Sequence, residues 1–316
     1  MARHLKIAAA QLGPLHLSDT RATATRRLTN LLREAHGMGA KFVVFPELAF
    51  STFFPRYWYE DQAEVDRRFF ESAMPGPETQ PLFEEAAKLG IGFYIGYAEL
   101  THEEGRARRF NTAILVGPDG RIAGKYRKIH LPGHAEHKPQ AAFQHLEKKY
   151  FEVGNLGFRV WRFLDTITGM LICNDRRWPE AFRVLALQGA ELVALGFNTP
   201  TDNLHYPEPP ALRVHHHLIM AQAMAFQNAT WLVETAKCGL EDGYRMFGHS
   251  LIVAPTGEIA AKSATEDDEV ICFNADIDLA ADLKRTMFNF AAHRRPEHYR
   301  LIVDRVGAEV TPADGP

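Results

Sequence analysis

Three residues with complementary chemistry each follow an apolar run of the kind that forms a buried strand. Glu47 follows Phe-Val-Val-Phe-Pro, Lys128 follows Gly-Lys-Tyr-Arg and Cys173 follows Met-Leu-Ile. Ligand sites in open α/β sheets gather at the carboxyl ends of strands, so we expect these side chains to meet. A thiol is mostly protonated at neutral pH and needs a base or a nearby positive charge to react. The pattern therefore predicts a nucleophilic site in which Glu47 takes the thiol proton and Lys128 stabilises the thiolate and then an oxyanion.

Each of these residues also has an ordinary structural explanation. A cysteine after an apolar strand is usually buried and inert. A glutamate after proline is usually a turn residue, and a lysine beside a loop is usually solvated. The conjunction favours function, because all three residues end apolar strands at the same predicted edge. The backbone N–H of Asn174, at the start of a strand-to-helix turn, is a candidate second donor to an oxyanion.

The composition is that of an ordinary soluble protein. The chain has 316 residues, of which 46% are hydrophobic and 24% charged, with a net charge of −3. This balance does not point to nucleic acid or to an anionic membrane surface. We expect neither a signal peptide nor a membrane span, because no apolar run approaches about 18 residues. An odd, sparse set of cysteines (Cys173, Cys238 and Cys272) argues against a disulfide framework and predicts a cytoplasmic protein.

Two parts of the sequence show the same order of predicted strands and turns. The segment 39–45, Gly-Ala-Lys-Phe-Val-Val-Phe, is echoed by Gly-Ala-Glu-Leu-Val-Ala-Leu at 189–195. The segment 114–125 is echoed by 251–262, with Val, Pro, Gly, Ile, Ala and Lys in register. Chance convergence of strand–turn–strand sequences is the alternative to a true pseudo-repeat. Apolar strands that alternate with amphipathic helices predict an α/β fold, a four-layer α-β-β-α sandwich made of two similar halves.

Three motifs contain the predicted reactive residues: Phe45-Pro46-Glu47, Tyr126-Arg127-Lys128-Ile129-His130 and Ile172-Cys173-Asn174-Asp175. With them the chain resembles the nitrilase, or carbon–nitrogen hydrolase, superfamily. Further motifs lie at 174–180, 145–148, 196–200 and 288–290, with His293 and 298–299, and in these the chain resembles the branch of N-carbamoyl-D-amino-acid amidohydrolases. The resemblance runs from about residue 7 to residue 303 and departs at 202–213 and 236–245, near the expected substrate pocket.

The resemblance implies one nitrilase-type domain over residues 1–306, with an oligomerisation segment at about 280–306 and a loose tail at 307–316. It implies a homodimer or homotetramer that needs no metal and no organic cofactor. Cys173 would attack the carbamoyl carbon, Glu47 would act as base and then acid, and Lys128 would hold the oxyanion. Glu147 matches a fourth family position, a second carboxylate that orients Lys128 or the hydrolytic water. The products would be the D-amino acid, carbon dioxide and ammonia.

The expected substrate carries a free carboxylate, which gives Arg176 and Arg177 a role. A guanidinium group binds a carboxylate bidentately and with charge assistance. We expect one direct contact, supported by the second arginine; the alternative is structural pairing with Asp175 or Glu180. Further hydrogen bonds to the carboxylate or the ureido group are expected from Asn174, Asn198 and Thr199.

Fifteen histidines raise the possibility of a zinc site. Their spacing lacks a tight Cys/His or His-Glu-x-x-His pattern, so we expect no metal. Successive residues of a helix point about 100° apart, so the run 215–217 cannot place all its rings on one ion. By resemblance, His130, His145 and His216 line or brace the site.

Three functions remain open from the sequence. The first is hydrolysis of N-carbamoyl-D-amino acids through a covalent thiol-carbamoyl intermediate. The second is another amidase or ureidase of the superfamily, such as a β-ureidopropionase-like enzyme or a hydrolase of N-carbamoyl amines. The third is a binding protein that keeps the fold without the chemistry, which the joint presence of Glu47, Lys128 and Cys173 disfavours. In the first two cases the partner is a small molecule, with no nucleic acid and no membrane.

Overall fold

A computed structural model describes residues 2–141, 143–202 and 208–310, and it has a four-layer arrangement of two sheets between two layers of helices. The strands are β1 (His4–Gln11), β2 (Phe42–Val44), β3 (Phe70–Glu71), β4 (Gly92–Glu103), β5 (Arg106–Val116), β6 (Ile122–Arg127), β7 (Val160–Phe163), β8 (Thr166–Ile172), β9 (Leu192–Phe197), β10 (Trp231–Ala236), β11 (Cys238–Glu241), β12 (Tyr244–Phe247), β13 (Leu251–Val253), β14 (Ile259–Lys262) and β15 (Glu269–Asp276). The helices are α1 (Arg21–Gly37), α2 (Gln62–Phe69), α3 (Gln80–Leu89), α4 (Glu147–Tyr150), α5 (Pro179–Leu187), α6 (Pro210–Asn228), α7 (Asp278–Arg285), α8 (Phe290–His293) and α9 (Leu301–Asp304).

The two large sheets have the same topology, which confirms the predicted pseudo-repeat. The first sheet has the order β15-β1-β2-β4-β5-β6, and the second has the order β7-β8-β9-β10-β13-β14. In each of these orders three central strands are parallel and the strands beyond them are antiparallel; the first sheet also has the two-residue strand β3, which pairs in parallel with the end of β4. The hairpins β5-β6 and β13-β14 are the two segments that match in sequence. The carboxyl ends of both sets of parallel strands therefore occupy equivalent positions.

Successive side chains of a strand point to opposite faces of its sheet, and they therefore belong to two different hydrophobic cores. In β1, Ile7 belongs to the core between the two sheets, whereas Ala8 belongs to the core under α1 and α3. Thr20 caps the start of α1, because its hydroxyl accepts a hydrogen bond from the backbone N–H of Thr23 at 3.1 Å. Buried leucines of α1 cover the first sheet, and α5 and α6 cover the second. The predicted α-β-β-α sandwich is therefore confirmed.

Several short elements are not predicted by the sequence pattern. Helix α2, strand β7 and the small β11-β12 hairpin carry too few residues for their periodicity to stand out from loops. Within the described residues, no helix combines the length and the apolar character that a membrane crossing requires. The predicted tail at 307–316 is exposed up to residue 310, and residues 311–316 lie outside the described part.

Two glycines let the sheets approach each other at Glu47. A Cβ atom at Gly96, on β4, would lie 2.7 Å from Glu47 Cα, and one at Gly196, on β9, would lie 2.6 Å from Glu47 N. Tyr94 bridges the sheets nearby, since its hydroxyl donates to Leu171 O at 2.8 Å and accepts from the N–H of Gly196 at 3.1 Å. The backbone at residue 47 is thus clamped from both sides, which fixes where its carboxylate lies.

Substitution of Gly196 by alanine should destabilise the protein and displace Glu47. The new methyl group would meet backbone atoms of residues 45–47, which cannot move aside cheaply. We expect Gly196→Ala to lower the free energy of unfolding by about 1–3 kcal/mol or more, measured by urea unfolding. The control is Gly37→Ala, because a Cβ at this helical position meets nothing within 4 Å. Equal stability of the two variants would contradict the clamp.

Candidate active site

The structure brings the three predicted reactive residues together. Lys128 Nζ lies 2.7 Å from Glu47 Oε1 and 2.5 Å from Glu147 Oε2, and all three side chains are fully buried. The Cys173 sulfur and one oxygen of each glutamate lie within 4.8 Å of one another. Glu47 follows β2, Lys128 follows β6 and Cys173 follows β8, so strands of both sheets contribute. The predicted meeting of Glu47, Lys128 and Cys173 at the ends of strands is thus confirmed.

Hydrogen bonds hold the Glu47 carboxylate from several directions. Besides Lys128, Asn111 Nδ2 donates to Oε1 at 2.7 Å and the backbone N–H of Asn198 donates to Oε2 at 3.0 Å. Asn198 Nδ2 also donates to the Glu47 carbonyl at 2.7 Å. A carboxylate with this many fixed donors has little freedom to turn. Its orientation toward the thiol is therefore set before any ligand arrives.

Cys173 lies on a sharp turn that Asp175 braces. Its φ is +46°, and it opens a 3-10 helix over Cys173–Arg177. The buried Asp175 carboxylate accepts from the N–H of Ile172 at 3.0 Å, from the Tyr126 hydroxyl at 2.8 Å and from the backbone and ring of His130 at 3.1 and 2.8 Å. These bonds join the end of β6 to the end of β8. Asp175 thus stabilises the turn, and neither Arg176 nor Arg177 forms an ion pair with it.

The electrostatic environment separates the roles of the two glutamates. Burial, followed by the charge of Glu47, raises the pKa of Cys173 to about 12, so the resting thiol is protonated. Burial also raises the pKa of Glu47, which makes it a stronger base. Burial opposes ionisation of Glu147 as well, but Lys128 and a hydrogen bond from His145 outweigh burial and lower its pKa. Glu47 is therefore suited to exchange protons, and Glu147 to remain charged.

The Lys128 ammonium takes the position that a metal ion would need. Burial alone would lower its pKa, but its acidic neighbours outweigh burial and raise it, so the group stays charged. Glu47, Glu147 and Cys173 form a set of possible metal ligands among the described residues. A divalent ion there would have to displace the ammonium that both carboxylates already contact.

Cys173 opens into a cleft with a volume of about 240 Å³. Its walls combine loop residues and two guanidinium groups, and they comprise Pro132, Gly133, Phe143, His145, Cys173, Asn174, Arg177, Asn198, Thr199, Pro200, Asp202 and Arg213. We call this cavity the Cys173 cleft. A small molecule that reaches the thiol must pass these groups.

The two predicted arginines separate in space. Arg177 is exposed and lines the Cys173 cleft, whereas Arg176 is buried and lines an adjoining cavity. Arg213, on α6, joins Arg177 in the cleft. No sequence signal marked Arg213, because only the packing of α6 brings it to the site. Two guanidinium groups therefore face the cleft, but one of them is not the one expected.

Some of the polar groups predicted to bind the substrate already form hydrogen bonds within the protein. Asn174 Nδ2 donates to the His130 carbonyl at 3.1 Å, and Asn174 Oδ1 accepts from Arg177 Nη1 at 3.2 Å. Asn174 thus positions Arg177. Asn198 Oδ1 is buried without a hydrogen-bond partner among the described residues, which leaves an acceptor at the cleft. Thr199 Oγ1 accepts from Arg176 Nη2 at 3.0 Å.

The three predicted histidines lie at different distances from Cys173 and its neighbouring residues. His145 lines the Cys173 cleft, with Nε2 3.4 Å from Glu147 Oε1. His130 bonds to Asp175 and stacks on Trp178, with ring centroids 5.2 Å apart. His216 is not at the cleft; its Nδ1 lies 3.2 Å from Glu208 Oε2 in the adjoining cavity. His130 and His145 therefore brace the cluster of Glu47, Lys128 and Cys173, and His216 does not contact it.

Comparison with known proteins identifies the class. The sequence profile described as Carbon-nitrogen hydrolase matches residues 6–285, so the chain belongs to the carbon–nitrogen hydrolase family. It is thus a nitrilase-superfamily hydrolase that acts on carbon–nitrogen bonds other than peptide bonds. The superfamily resemblance of the sequence motifs is confirmed.

Named relatives within the family carry several activities. A nitrilase from Pyrococcus abyssi is 32% identical, over 93% of this chain and 99% of its own. An N-carbamoylputrescine amidase from Arabidopsis thaliana is 29% identical, over 92% of this chain and 93% of its own. An omega-amidase from Homo sapiens is 31% identical, over 84% and 86%. These names differ, so they do not identify one common substrate.

Solved structures confirm the fold. A carbon-nitrogen hydrolase from Helicobacter pylori G27 superposes with a TM-score of 0.81 at 24% identity, covering 96% of this chain and 100% of that one. An amidase from Nesterenkonia sp. gives a TM-score of 0.70 at 21% identity, covering 95% and 97%.

Buried Glu234 faces buried His217 beside Arg176. His217 Nε2 donates to the His249 carbonyl at 2.9 Å, so Nδ1 faces Glu234 Oε2, 3.3 Å away. Burial raises the pKa of Glu234 to about 7. Burial, followed by the charge of Arg176, lowers the pKa of His217 well below 6.5. The proton therefore lies on Glu234 in weakly acidic solution, and the ring is neutral.

This pair predicts a change in pH dependence for Glu234→Gln. Between pH 4.5 and 6.5 the unfolded wild-type pair holds one proton, on the histidine, and the folded pair also holds one, on Glu234, so the pair adds no slope. In the variant the folded His217 stays neutral while the unfolded histidine is protonated below pH 6.5. Stability should therefore be lost on acidification, by about 1.4 kcal/mol per pH unit more than in the wild type.

Urea unfolding at several pH values in this window measures the difference. The control is Glu180→Gln, which removes an exposed carboxylate at the start of α5 and should follow the wild-type profile. Parallel profiles for Glu234→Gln and the wild type would show that Glu234 does not hold the proton.

Proposed function

We propose that the protein hydrolyses the ureido group of N-carbamoyl-D-amino acids to the D-amino acid, carbon dioxide and ammonia. The observation that carries this proposal is the pairing of a buried Cys-Glu-Lys cluster with two guanidinium groups in one cleft, Arg177 and Arg213. The cluster suits attack on a carbonyl carbon, and the guanidinium groups suit a carboxylate on the same substrate.

In the first half of the reaction, the Cys173 sulfur attacks the carbamoyl carbon while its proton passes to Glu47. The ureido oxygen becomes an oxyanion, which Lys128 Nζ and the backbone N–H of Asn174 stabilise. Collapse breaks the bond from the carbamoyl carbon to the amino acid nitrogen, and Glu47 returns its proton to that nitrogen. A carbamoyl group then remains on the sulfur, and the amino acid leaves.

In the second half, water attacks the thiol-carbamoyl carbon and gives its proton to Glu47. Glu47 returns this proton to the sulfur as the C–S bond breaks, which restores the thiol and releases carbamic acid. Carbamic acid decomposes to carbon dioxide and ammonia. Glu147 stays ionised throughout and holds Lys128 in place. Asn198 Oδ1, which lacks a protein partner among the described residues, is suited to accept a hydrogen bond from a ureido N–H.

Charge distinguishes this proposal from the activities in the relatives' names. An N-carbamoyl amine such as N-carbamoylputrescine carries a positive charge, which Arg177 and Arg213 would repel. A β-ureido acid, or an amide that bears a carboxylate, would satisfy the same guanidinium groups and is the second candidate. The D configuration is supported by the resemblance of residues 174–180 to the N-carbamoyl-D-amino-acid amidohydrolase branch.

We further propose a cytoplasmic homodimer or homotetramer. Cys173, Cys238 and Cys272 are free thiols, as a reducing compartment favours. Within the predicted oligomerisation segment at about 280–306, Met287, Ile302 and Val303 expose 62%, 59% and 86% of their surface. Exposed apolar side chains grouped in this way support an interface with a second copy.

Replacement of Arg177 by glutamine should weaken turnover only of substrates that bear a carboxylate. For N-carbamoyl-D-phenylalanine we expect kcat/KM to fall by about 10- to 100-fold, because a charge-assisted hydrogen bond is lost. For N-carbamoyl-phenethylamine, which lacks only the carboxylate, kcat/KM should change by less than about threefold. Ammonia release measures both rates.

Matched compounds separate the candidates. The L-isomer tests the configuration, N-carbamoyl-β-alanine tests the β-ureido alternative, and D-phenylalaninamide tests amide cleavage. Preferred turnover of the ureido D-compound supports the proposal. Failure to release ammonia from any ureido acid, with hydrolysis of an amide instead, would sink it.

A further inference from the structure

A second cavity adjoins the Cys173 cleft. It has a volume of about 190 Å³ and shares Arg177, Thr199 and Arg213 with the cleft as common walls. We call it the Arg176 chamber. Its remaining walls are Arg176, Glu208, His216, His217, Met220 and Phe247. A molecule bound in the cleft could therefore extend past the shared walls into the chamber.

Arg176 is buried with most of its hydrogen-bonding capacity unused. The residue is 2% exposed and its guanidinium lies 3.9 Å over the Phe197 ring. Nη2 donates to Thr199 Oγ1 at 3.0 Å, but Nε and Nη1 have no hydrogen-bond partner among the residues that the structure describes. A buried charge with unpaired donors costs stability. The Arg176 guanidinium thus keeps two donors that no described residue uses.

Arg213 is similar. It is 8% exposed, and its Nη1 has no hydrogen-bond partner within the described part of the chain. Its Nε lies 3.5 Å from Glu208 Oε1, while the other oxygen of Glu208 lies 3.2 Å from His216 Nδ1. Glu208 is therefore already engaged. Its single negative charge faces three guanidinium groups, those of Arg176, Arg177 and Arg213.

Glu234 leaves the free donors of Arg176 unpaired. Its Oε2 makes no hydrogen bond to Arg176 and faces the ring of His217 instead, 3.3 Å from Nδ1. The chamber is thus positively charged and contains donors that point to no acceptor of the described protein. Met220 and Phe247 give it an apolar side that methylene groups can contact.

We propose that the Arg176 chamber is a second anion subsite that takes a carboxylate at the end of the substrate's side chain. The inference rests on the proposed function, in which the α-carboxylate is held in the Cys173 cleft by Arg177 and Arg213. The preferred substrates are then N-carbamoyl derivatives of acidic amino acids. The planar guanidinium of Arg176 receives the side-chain carboxylate through Nε and Nη1, in the paired geometry that suits this group.

A pair of substrates that differ only in charge tests the subsite. We expect kcat/KM for N-carbamoyl-D-glutamate to exceed that for N-carbamoyl-D-glutamine by about tenfold or more. In Arg176→Gln this ratio should fall to about one or below, while Arg176→Lys should retain part of it. Because the test is a ratio within one protein, a general loss of folded enzyme does not imitate the result. Arg183→Gln, which removes an arginine outside the chamber, should leave the ratio unchanged.

Binding without turnover gives an independent measurement. Glutarate should raise the melting temperature of the wild-type protein more than its monoamide does, and this difference should disappear in Arg176→Gln. If acetate stabilised the protein as strongly as glutarate at equal concentration, the chamber would hold a free anion, and the side-chain assignment would be overturned.

The outcomes separate the subsite from the proposed function. Hydrolysis of both ureido substrates without a preference for glutamate, or a preference that survives in Arg176→Gln, overturns the subsite and leaves the function standing. Absence of hydrolysis of every ureido acid, with glutarate stabilisation that depends on Arg176, overturns the function while the anion subsite remains.

Discussion

The site depends on one buried ammonium group, that of Lys128, between the carboxylates of Glu47 and Glu147. Burial of three charges costs several kcal/mol per ion, and mutual attraction offsets this only if the remaining lone pairs are also satisfied. Asn111 and the N–H of Asn198 satisfy Glu47, and its neighbours thereby fix its direction. The cluster keeps one excess negative charge. Burial, reinforced by the charge of Glu47, holds the thiol in its protonated form, and burial, reinforced by the charge of Glu147, raises the pKa of Glu47 and makes it a stronger base.

Positioning this cluster requires two sheets to meet at one point. Gly96 and Gly196 leave room for the backbone of Glu47 between β4 and β9, and Asp175 ties the turn at Cys173 to the end of β6. Each half of the pseudo-repeat thus supplies part of the machinery that neither half holds alone. In the proposed function the substrate-binding groups depend on the same geometry, because the turn that fixes Cys173 also directs Arg177 into the cleft. Chemistry and recognition therefore depend on a single short turn.

Sequence patterns predicted the layered fold and the meeting of Glu47, Lys128 and Cys173, because apolar periodicity and strand ends are local properties. They could not predict Asp175 as the brace of the turn or Arg213 as a wall of the cleft. These contacts depend on how distant segments pack, and a lone aspartate or a helical arginine carries no periodic signal. The different positions of Arg176 and Arg177 likewise follow from the 3-10 helix, whose successive residues point about 120° apart.

The most direct test of the account is the covalent step on Cys173. Wild-type protein is mixed with N-carbamoyl-D-phenylalanine, quenched with acid at short times and analysed by peptide mass spectrometry, with Cys173→Ala as the parallel variant. The account predicts that the mass of one carbamoyl group appears on the Cys173 peptide before ammonia is released and decays with turnover, and that the variant releases no ammonia. Hydrolysis that persists in Cys173→Ala, or a carbamoyl group found on Cys238 or Cys272 during turnover in place of Cys173, would contradict it.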